Sequence, residues 1–527
     1  MESLLEETRK QYPPKLPKII QNAVTFQLKD KIHISDPKID AVFTHCKENR
    51  IAYCEPKQSE NPVLQHIGVL FSGGQASGGH NVISGIFDTM RRNNPHAILY
   101  GFIGGPIGLI KNQHRILTEK DINAFRNTGG FDLIGSGRTK IETPAQFESA
   151  CQTCQNLLLD ALIIIGGDDS NTNAALLAEY FLSKDLSTSV LGIPKTIDGD
   201  LKNQWIEMSF GFDTATKTYS ELIANIARDA SSSRKYWHFI KVMGRSASHI
   251  ALECALQTHP NVCLISEEIA EKKLSLQDII QLIVDVIIRR KQDGNPFGIV
   301  LLPEGLIEFI PEMSNLIINL NSLLAEGRKP VQNYLPPPSK KLFSSLPHSI
   351  QEQLLIDRDS HGNVQVSRIE TEKLLADMVK EELLKRKESI TIMTHFFGYE
   401  GRSGYPTNFD ADYCYTLGCT VTALAREKLT GYIAAVKHLS LPCEQWVPIG
   451  IPLRVMIHLE KRENRMKPVI KKSLVNLSIN PFTTFAKQRK EWTRKTSYRY
   501  PGPIQFFGPE ELTEKRSFTI KLQEKKK

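Results

Sequence analysis

At 527 residues the chain exceeds what one hydrophobic core usually organises, about 250 to 300 residues, so two or more domains with extensive burial are expected. A composition of 41% hydrophobic and 24% charged residues excludes global disorder, and the net charge of +8 is dispersed without a basic run interleaved with aromatics, so nucleic acid is not an expected partner. Nine irregularly spaced cysteines indicate a reducing compartment, no apolar run approaches the roughly 18 residues of a membrane span, and the N-terminal stretch lacks a signal-peptide core; a cytoplasmic protein without membrane attachment is expected.

Residues 1 to about 65 read as an N-terminal extension. Beyond them, apolar runs closing on glycine and polar residues recur: IGVL-FSGG, ALIII-GGDD, VLGI-PKTIDGD, HFIKV-MGR, VCLI-SEE, FGIVLL-PEG and ITIMT-HFFGYEGR. Helical patterns lie between most of them, which predicts an α/β fold with mainly parallel sheets and ligands beyond the carboxyl ends of the strands. The turn from Gly73 to Gly79 opens a helix but matches neither the Rossmann fingerprint nor the Walker P-loop. Cys151-x-x-Cys154 lies in a helical-looking stretch without a second pair or clustered histidines, so zinc or redox chemistry is not expected.

Leu162 to Ile165 suits a strand buried on both faces, and a helix is expected from Asn171 onward. Between them stand Asp168 and Asp169, at a turn whose free N–H groups and helix dipole would attract anions. One reading is a helix N-cap; the other is a metal held by one carboxylate and a ligand restricted by its neighbour. Further on, Leu276, Ile279, Ile280, Ile283, Val284, Ile287 and Ile288 form one apolar helical stripe, with Ser275 and Asp278 as a capping box and Gly294 as the stop. Leu306 to Ser389 breaks the strand pattern and reads as a largely helical insertion, and the basic C-terminal end reads as a solvated tail.

Taken in order, FSGGQASGGHN, GGDDSNTNAA, PKTIDGD, MGR, PEG and GYEGR resemble the phosphofructokinases, and GGDD with PKTIDGD resembles the long form of their pyrophosphate-dependent branch, over roughly residues 66 to 440. The resemblance implies the phosphofructokinase fold, with two Rossmann-like parallel-sheet domains. The phosphoryl-donor domain would comprise 66–212 and about 403–440, and the fructose 6-phosphate domain 213–402 with the insertion at about 306–389; 441–527 would be a C-terminal extension. It implies reversible, Mg2+-dependent transfer of phosphate from pyrophosphate to fructose 6-phosphate, giving fructose 1,6-bisphosphate and orthophosphate.

Residue roles follow from the matching motifs. Asp168 is implied as the magnesium-associated carboxylate. Asp169 stands where ATP-using relatives carry glycine, so its bulk and charge would exclude nucleotide. Lys195 would offset charge on the leaving phosphate, Asp198 would be the general base, and Arg245 would stabilise the transferring group. Gly73 and Gly74 would let the donor approach the backbone; Thr196 and Ile197 belong to the substrate stretch. Met243 and Gly244 would shape the sugar site, Glu304 would accept bonds from sugar hydroxyls, and Tyr399, Glu400, Gly401 and Arg402 resemble the segment at the sugar phosphate. Lys235 and Tyr236 resemble residues reaching a neighbouring subunit's 6-phosphate, which implies a homodimer. Ser77 departs from the proline common at its position, implying a less rigid loop. His80, His238 and His395 are expected to pack rather than react. Two other readings are an ATP-dependent phosphofructokinase, opposed by Asp169 and Lys195, and a non-catalytic regulatory subunit, opposed by the joint presence of Asp168, Asp198 and Arg245.

Overall fold

The computed structural model of the protein describes residues 2–30, 36–57, 63–358, 362–462 and 465–523. The chain divides into two compact units: Met1–Ala215, Gly401–Ser473 and Ile504–Arg516 form the first, and Thr216–Glu400, Leu474–Pro503 and Ser517–Lys527 form the second.

The first unit is built on strands β1 (Val24–Lys29), β2 (Ile51–Pro56), β3 (His66–Ser72), β4 (Ile98–Phe102), β5 (His114–Leu117), β6 (Ser136–Gly137), β7 (Ala161–Gly166) and β8 (Ser189–Pro194). The second uses β9 (Trp237–Val242), β10 (Val262–Cys263), β11 (Gly298–Pro303) and β12 (Ile392–Phe397). The chain then returns to the first unit for β13 (Tyr432–Lys437), β14 (Val447–Pro452), β15 (Ile457–Arg462) and β16 (Arg465–Ile470).

In the first unit the strand order is β1-β2-β14-β13-β8-β7-β3-β4-β5, with β6 beside β3. The centre, β13-β8-β7-β3-β4, is parallel, while β1-β2, β2-β14, β14-β13 and β4-β5 pair antiparallel. Sequence explains the division. β7 (ALIIIG) and β8 (SVLGIP) are buried at every residue, as continuous apolar runs require, whereas the outer β1 and β5 each carry exposed positions. Both terminal segments therefore widen the sheet: β1 and β2 come from one, β14 from the other.

Two helices of this unit, Gly79–Asn93 and Asn408–Arg426, approach backbone to backbone. A Cβ added at Gly418 would lie 2.3 Å from the Val82 carbonyl oxygen, and one at Gly85 would lie 2.4 Å from that of Tyr415. Every residue of Asn408–Arg426 is buried, so its polar members need partners. Asp412 accepts bonds from the Tyr12 hydroxyl (2.9 Å) and the Lys15 N–H (2.8 Å), and Asn408 accepts from the Arg9 guanidinium (2.6 Å). Asp410 accepts the N–H groups of Gly211 (3.1 Å) and Thr214 (2.9 Å), capping the helix Phe212–Ser233. Burial and the nearby Asp213 push the Asp410 carboxyl up to about 7.

The second unit holds a four-stranded sheet, β10-β11-β9-β12, parallel throughout. The expected stripe lies on Leu276–Gln292, where Ser275 and Asp278 form a capping box and Gly294 (φ +75°) follows the C-terminus. Its apolar face joins a core shared with the helices Pro311–Ala325, Pro337–Ser345, His348–Ile356 and Thr371–Lys385, which lie between β11 and β12 in the chain. The Lys241 ammonium, buried on β9, pairs with Glu372 at 2.8 Å and donates to the Ile369 carbonyl at 3.0 Å, fastening this helical segment to the sheet. The later chain is fastened by buried carboxylates: Glu267 accepts the Val475 N–H (2.9 Å), and Glu253 accepts those of Phe518 and Thr519 (both 2.7 Å).

Gly418→Ala is expected to lower stability by about 1–3 kcal/mol through overpacking at the helix crossing, with little change for Gly294→Ala beyond its positive-φ strain. Thermal unfolding of the two variants checks this; a Gly418→Ala protein melting at the wild-type temperature contradicts the close packing.

Candidate active site

Three adjacent parallel strands, β3, β7 and β8, end together in the first unit, and their carboxyl-end loops carry most of the expected donor-side residues. Gly73 leaves β3 at φ +89° and its N–H donates to the Gly137 carbonyl at 2.8 Å. Side-chain cations cover this backbone. A Cβ at Gly73 would lie 3.2 Å from the Lys195 Nζ, and one at Gly74 only 1.8 Å from the Arg402 guanidinium, with Arg138 at 3.7 Å. A side chain at 74 would therefore displace the Arg402 guanidinium from this position. The buried Ser77 hydroxyl donates to the Gly404 carbonyl at 2.7 Å, so a side-chain bond restrains the loop where the resemblance led us to expect added freedom.

The turn after β7 enters the helix Asp168–Ser183, three residues earlier than Asn171. Gly167 occupies the N-cap position without a side-chain capping bond, and the two aspartates fill the first turn. Neither is the cap. The turn is braced instead by Asn171, which donates to the carbonyls of Gly166 (2.7 Å) and Gly167 (2.9 Å), and by Ser170, whose hydroxyl donates to Ser72 at 2.8 Å. Asp169, half exposed, pairs with Lys140 at 3.2 Å. Asp168 lies 3.5 Å from the Lys472 ammonium.

After β8, Lys195 forms a bridge to Phe210 and its N–H donates to the Gly166 carbonyl at 3.0 Å, which directs its buried side chain toward Gly73. Burial, reinforced by Arg402 and opposed by Asp198 and Asp168, pushes its ammonium down to about 8. The Asp198 N–H donates to the Thr196 hydroxyl at 3.1 Å, the Ser209 hydroxyl donates to the Thr196 carbonyl at 2.9 Å, and Gly199 turns at φ +73°. The Asp-Gly turn is real, and it leaves Asp198 half-buried beside the charged cluster. Ile197 is buried and packs near Gly211. Asp200 is pushed up to about 7 by burial and Asp198, while Lys472, at 3.8 Å, pulls the other way.

The second unit gathers Met243, Gly244, Arg245 and Glu304 at the carboxyl ends of β9 and β11. Glu304 is buried; its N–H donates to the Val242 carbonyl at 2.9 Å and that of Gly305 to Gly244 at 3.2 Å. A Cβ at Gly305 would fall 1.7 Å from the Arg245 carbonyl oxygen, so these two turns are packed backbone on backbone. Glu400 accepts the Gly398 N–H at 2.6 Å, and Tyr399 is 75% exposed. Lys235 and Tyr236 are exposed at the other, amino end of β9, with Tyr236 in the left-handed region at φ +68°. Six residues of strand, about 20 Å, separate them from Met243.

The expected four-residue segment is divided: Tyr399 and Glu400 fall in the second unit, Gly401 and Arg402 in the first, where Arg402 joins Arg138 over Gly74 beside Lys195 at Gly73. Arg138, Lys140 and Lys472 were not foreseen. The first two sit in GSGRTK, after a short strand with little pattern; Lys472 sits in a stretch that resembles only an extension. The histidines pack: His80 bonds Thr128 (2.8 Å) and burial pushes it down to about 4, and His238 faces His395 at 2.9 Å. Among the described residues all nine cysteines are free and buried, Cys151 and Cys154 included.

A family model described as Phosphofructokinase matches residues 66–425, and the chain belongs to the phosphofructokinase family. It is 54% identical over 476 residues, 87% of this chain and 83% of the relative, to the pyrophosphate–fructose 6-phosphate 1-phosphotransferase of Treponema pallidum. To the protein of the same name from Porphyromonas gingivalis it is 49% identical over 543 residues, 99% of each chain. The crystal structure of a pyrophosphate-dependent phosphofructokinase from Marinobacter aquaeolei shares the fold at TM-score 0.55 and 15% identity, covering 82% of this chain and 93% of that one.

The fall of the Lys195 ammonium from its ordinary 10.5 to about 8 is a stability cost, about 3 to 4 kcal/mol at about 1.4 kcal/mol per pH unit. Because the folded state holds this proton less tightly than the unfolded one, the cost is complete below pH 8 and vanishes above 10.5. Lys195→Met is therefore expected to unfold at a higher temperature than wild type at pH 7, with the difference shrinking toward pH 10; a lower melting temperature at pH 7 contradicts a strained buried charge.

Proposed function

We propose that this chain catalyses reversible phosphoryl transfer from pyrophosphate to the 1-hydroxyl of fructose 6-phosphate, releasing orthophosphate and forming fructose 1,6-bisphosphate. The observation that carries the choice of donor is Asp169. It sits in the first helical turn beside the cationic glycine loop, half exposed and paired with Lys140, where a carboxylate repels the further phosphate of a nucleotide while a two-phosphate donor stays clear. Both relatives described above carry pyrophosphate as donor in their names.

Asp198 accepts the proton of the sugar's 1-hydroxyl as that oxygen attacks phosphorus. The bond from phosphorus to the bridging oxygen of pyrophosphate breaks, and orthophosphate leaves with the electron pair. Lys195, dehydrated and pressed toward Gly73, offsets charge gathering on that leaving group, and Arg138 and Arg402 hold the donor's remaining oxygens. On the second unit Arg245 serves the transferring phosphoryl group and Glu304 accepts hydrogen bonds from the sugar, with Met243, Gly244, Tyr399 and Glu400 shaping its place.

Asp168 would hold magnesium. The Lys472 ammonium already drawn to 3.5 Å supports a cation at this carboxylate, and among the described residues no group of three or more ligating side chains occurs, which suits an ion held largely by one carboxylate, phosphate oxygens and water. When bound, it neutralises negative charge on the pyrophosphate oxygens.

A homodimer completes the reading. Lys235 and Tyr236 stand exposed about 20 Å from the other sugar-side residues, too far to serve the same sugar phosphate. Nearby, the outer strand β12 exposes Met393 and Phe396, at 46% and 36%, which supports a second copy against this edge. Among the described residues no helix is long and apolar enough to cross a membrane, and the free cysteines support a cytoplasmic site of action.

Steady-state assays with pyrophosphate or ATP test the donor assignment: wild type should turn over with pyrophosphate alone, and Asp169→Gly should gain measurable ATP binding while losing pyrophosphate turnover. An Asp169→Gly protein that excludes ATP and keeps full turnover contradicts it. For the shared site, Tyr236→Ala should chiefly raise the KM for fructose 6-phosphate, and Asp198→Asn should lower kcat by about 10²-fold or more. Mixed dimers of the two should regain activity over either parent; no recovery in demonstrated mixed dimers contradicts sharing.

A further inference from the structure

Lys472 belongs to none of the motifs that point to phosphoryl transfer, yet its ammonium stands 3.5 Å from the Asp168 carboxylate and 3.8 Å from that of Asp200. Backbone bonds secure this stretch of chain. The Ile470 N–H donates to the Thr172 hydroxyl (3.1 Å), on the helix that starts with Asp168. The Lys471 N–H donates to the Met456 carbonyl (3.1 Å), and the Ser473 N–H donates to the carbonyl of Asp200 itself (2.7 Å). The position of Lys472 is therefore set by bonds to the helix that begins with Asp168 and to the Asp200 loop, while its side chain stays 36% exposed.

The charges around it explain why a cation is needed. Asp168, Asp198 and Asp200 come from the ends of β7 and β8, and the first two act on Asp200 as like charges; Lys195, which also feels Asp198 and Asp168, lies toward Gly73, with Arg402 and Arg138 near Gly74. Unrelieved, neighbouring carboxylates in a partly desolvated pocket repel strongly and turn apart. An ammonium between Asp168 and Asp200 relieves that repulsion. It also competes with any second cation for Asp168, and it adds positive charge where an anionic donor must approach.

We propose that Lys472 is a positioning residue for the phosphoryl-transfer reaction: it holds Asp168 and Asp200 in register before substrate arrives, yields Asp168 to the divalent cation, and then balances the charge of bound pyrophosphate. This rests on the reading of Asp168 as the metal-facing carboxylate. It makes an interaction with opposite signs for the two ligands. Removing the ammonium makes the empty site a stronger cation binder and a weaker pyrophosphate binder, whereas a merely structural lesion weakens both.

The test uses the full-length enzyme with Lys472→Met, Lys472→Gln and Lys472→Arg, and with Asp168→Asn as control. Direct Mn2+ binding without substrates, followed by the electron paramagnetic resonance of free Mn2+, should be tightened about 5-fold in Lys472→Met and Lys472→Gln, and the KM for pyrophosphate at saturating Mg2+ should rise about 10-fold, more than kcat falls. Lys472→Arg should stay within about 2-fold of wild type on both. Two apolar or neutral variants guard against one of them failing to fold. Unchanged or weakened Mn2+ binding in a folded neutral variant overturns the proposal, as does an equal loss in Lys472→Arg. The control separates the two readings: if Asp168→Asn abolishes Mn2+ binding while the Lys472 variants behave as wild type, only the role of Lys472 falls; if Asp168→Asn binds Mn2+ normally, the metal reading falls and this proposal falls with it.

Discussion

A single ammonium group, that of Lys195, is held out of water against the backbone of Gly73, and much of the first unit's geometry is the consequence. Burial alone would drive its proton off; Asp198 and Asp168 retain it part of the way, at about 8. A side chain at Gly73 would crowd Lys195 and one at Gly74 would meet Arg402, so the glycines leave room for these cations. The cost of keeping so poorly solvated a charge is the usual mark of a site selected for binding an anion and not for stability.

The sheet makes that arrangement possible. β3, β7 and β8 are neighbours and parallel, so the loops after Ser72, Gly166 and Pro194 emerge side by side although nearly a hundred residues separate the first from the second. The fragments that complete the charge pattern come from other parts of the chain: Arg138 and Lys140 after β6, Arg402 before the buried helix Asn408–Arg426, Lys472 after β16. Lys472 in particular is flanked by main-chain bonds, from Lys471 to Met456 and from Ser473 to Asp200, so its position is set by the scaffold.

In the second unit the organising feature is the polarity of a parallel strand. β9 presents Tyr236 at one end and Met243 at the other, and no side-chain rotation brings these ends together. The same strand carries Lys241, whose ammonium reaches Glu372 and the Ile369 carbonyl and so ties the helical segment between β11 and β12 to the sheet. A neutral pair, His238 and His395, lies across β9 and β12, where burial and the neighbouring ring push His238 down to about 4.

By itself the sequence determined the α/β class, the central buried strands, the capped stripe from Leu276 and the helical character of the segment before β12, because these rest on local periodicity, β-branched runs and caps. It also singled out the loops of GGDD and PKTIDGD as candidates, since both are contiguous and end apolar strands. Only the tertiary structure decided that Asp168 and Asp169 occupy a first turn capped by neither, that Arg402 lies over Gly74, that the terminal segments widen a mixed sheet, and that Lys472 stands between Asp168 and Asp200. The physical reason is the same in each case. A lysine or arginine in an unpatterned stretch reads as a solvated surface charge until the fold places carboxylates or glycine backbone within a few ångströms of it, and that proximity comes from strand order and crossover connections that no local window of residues contains.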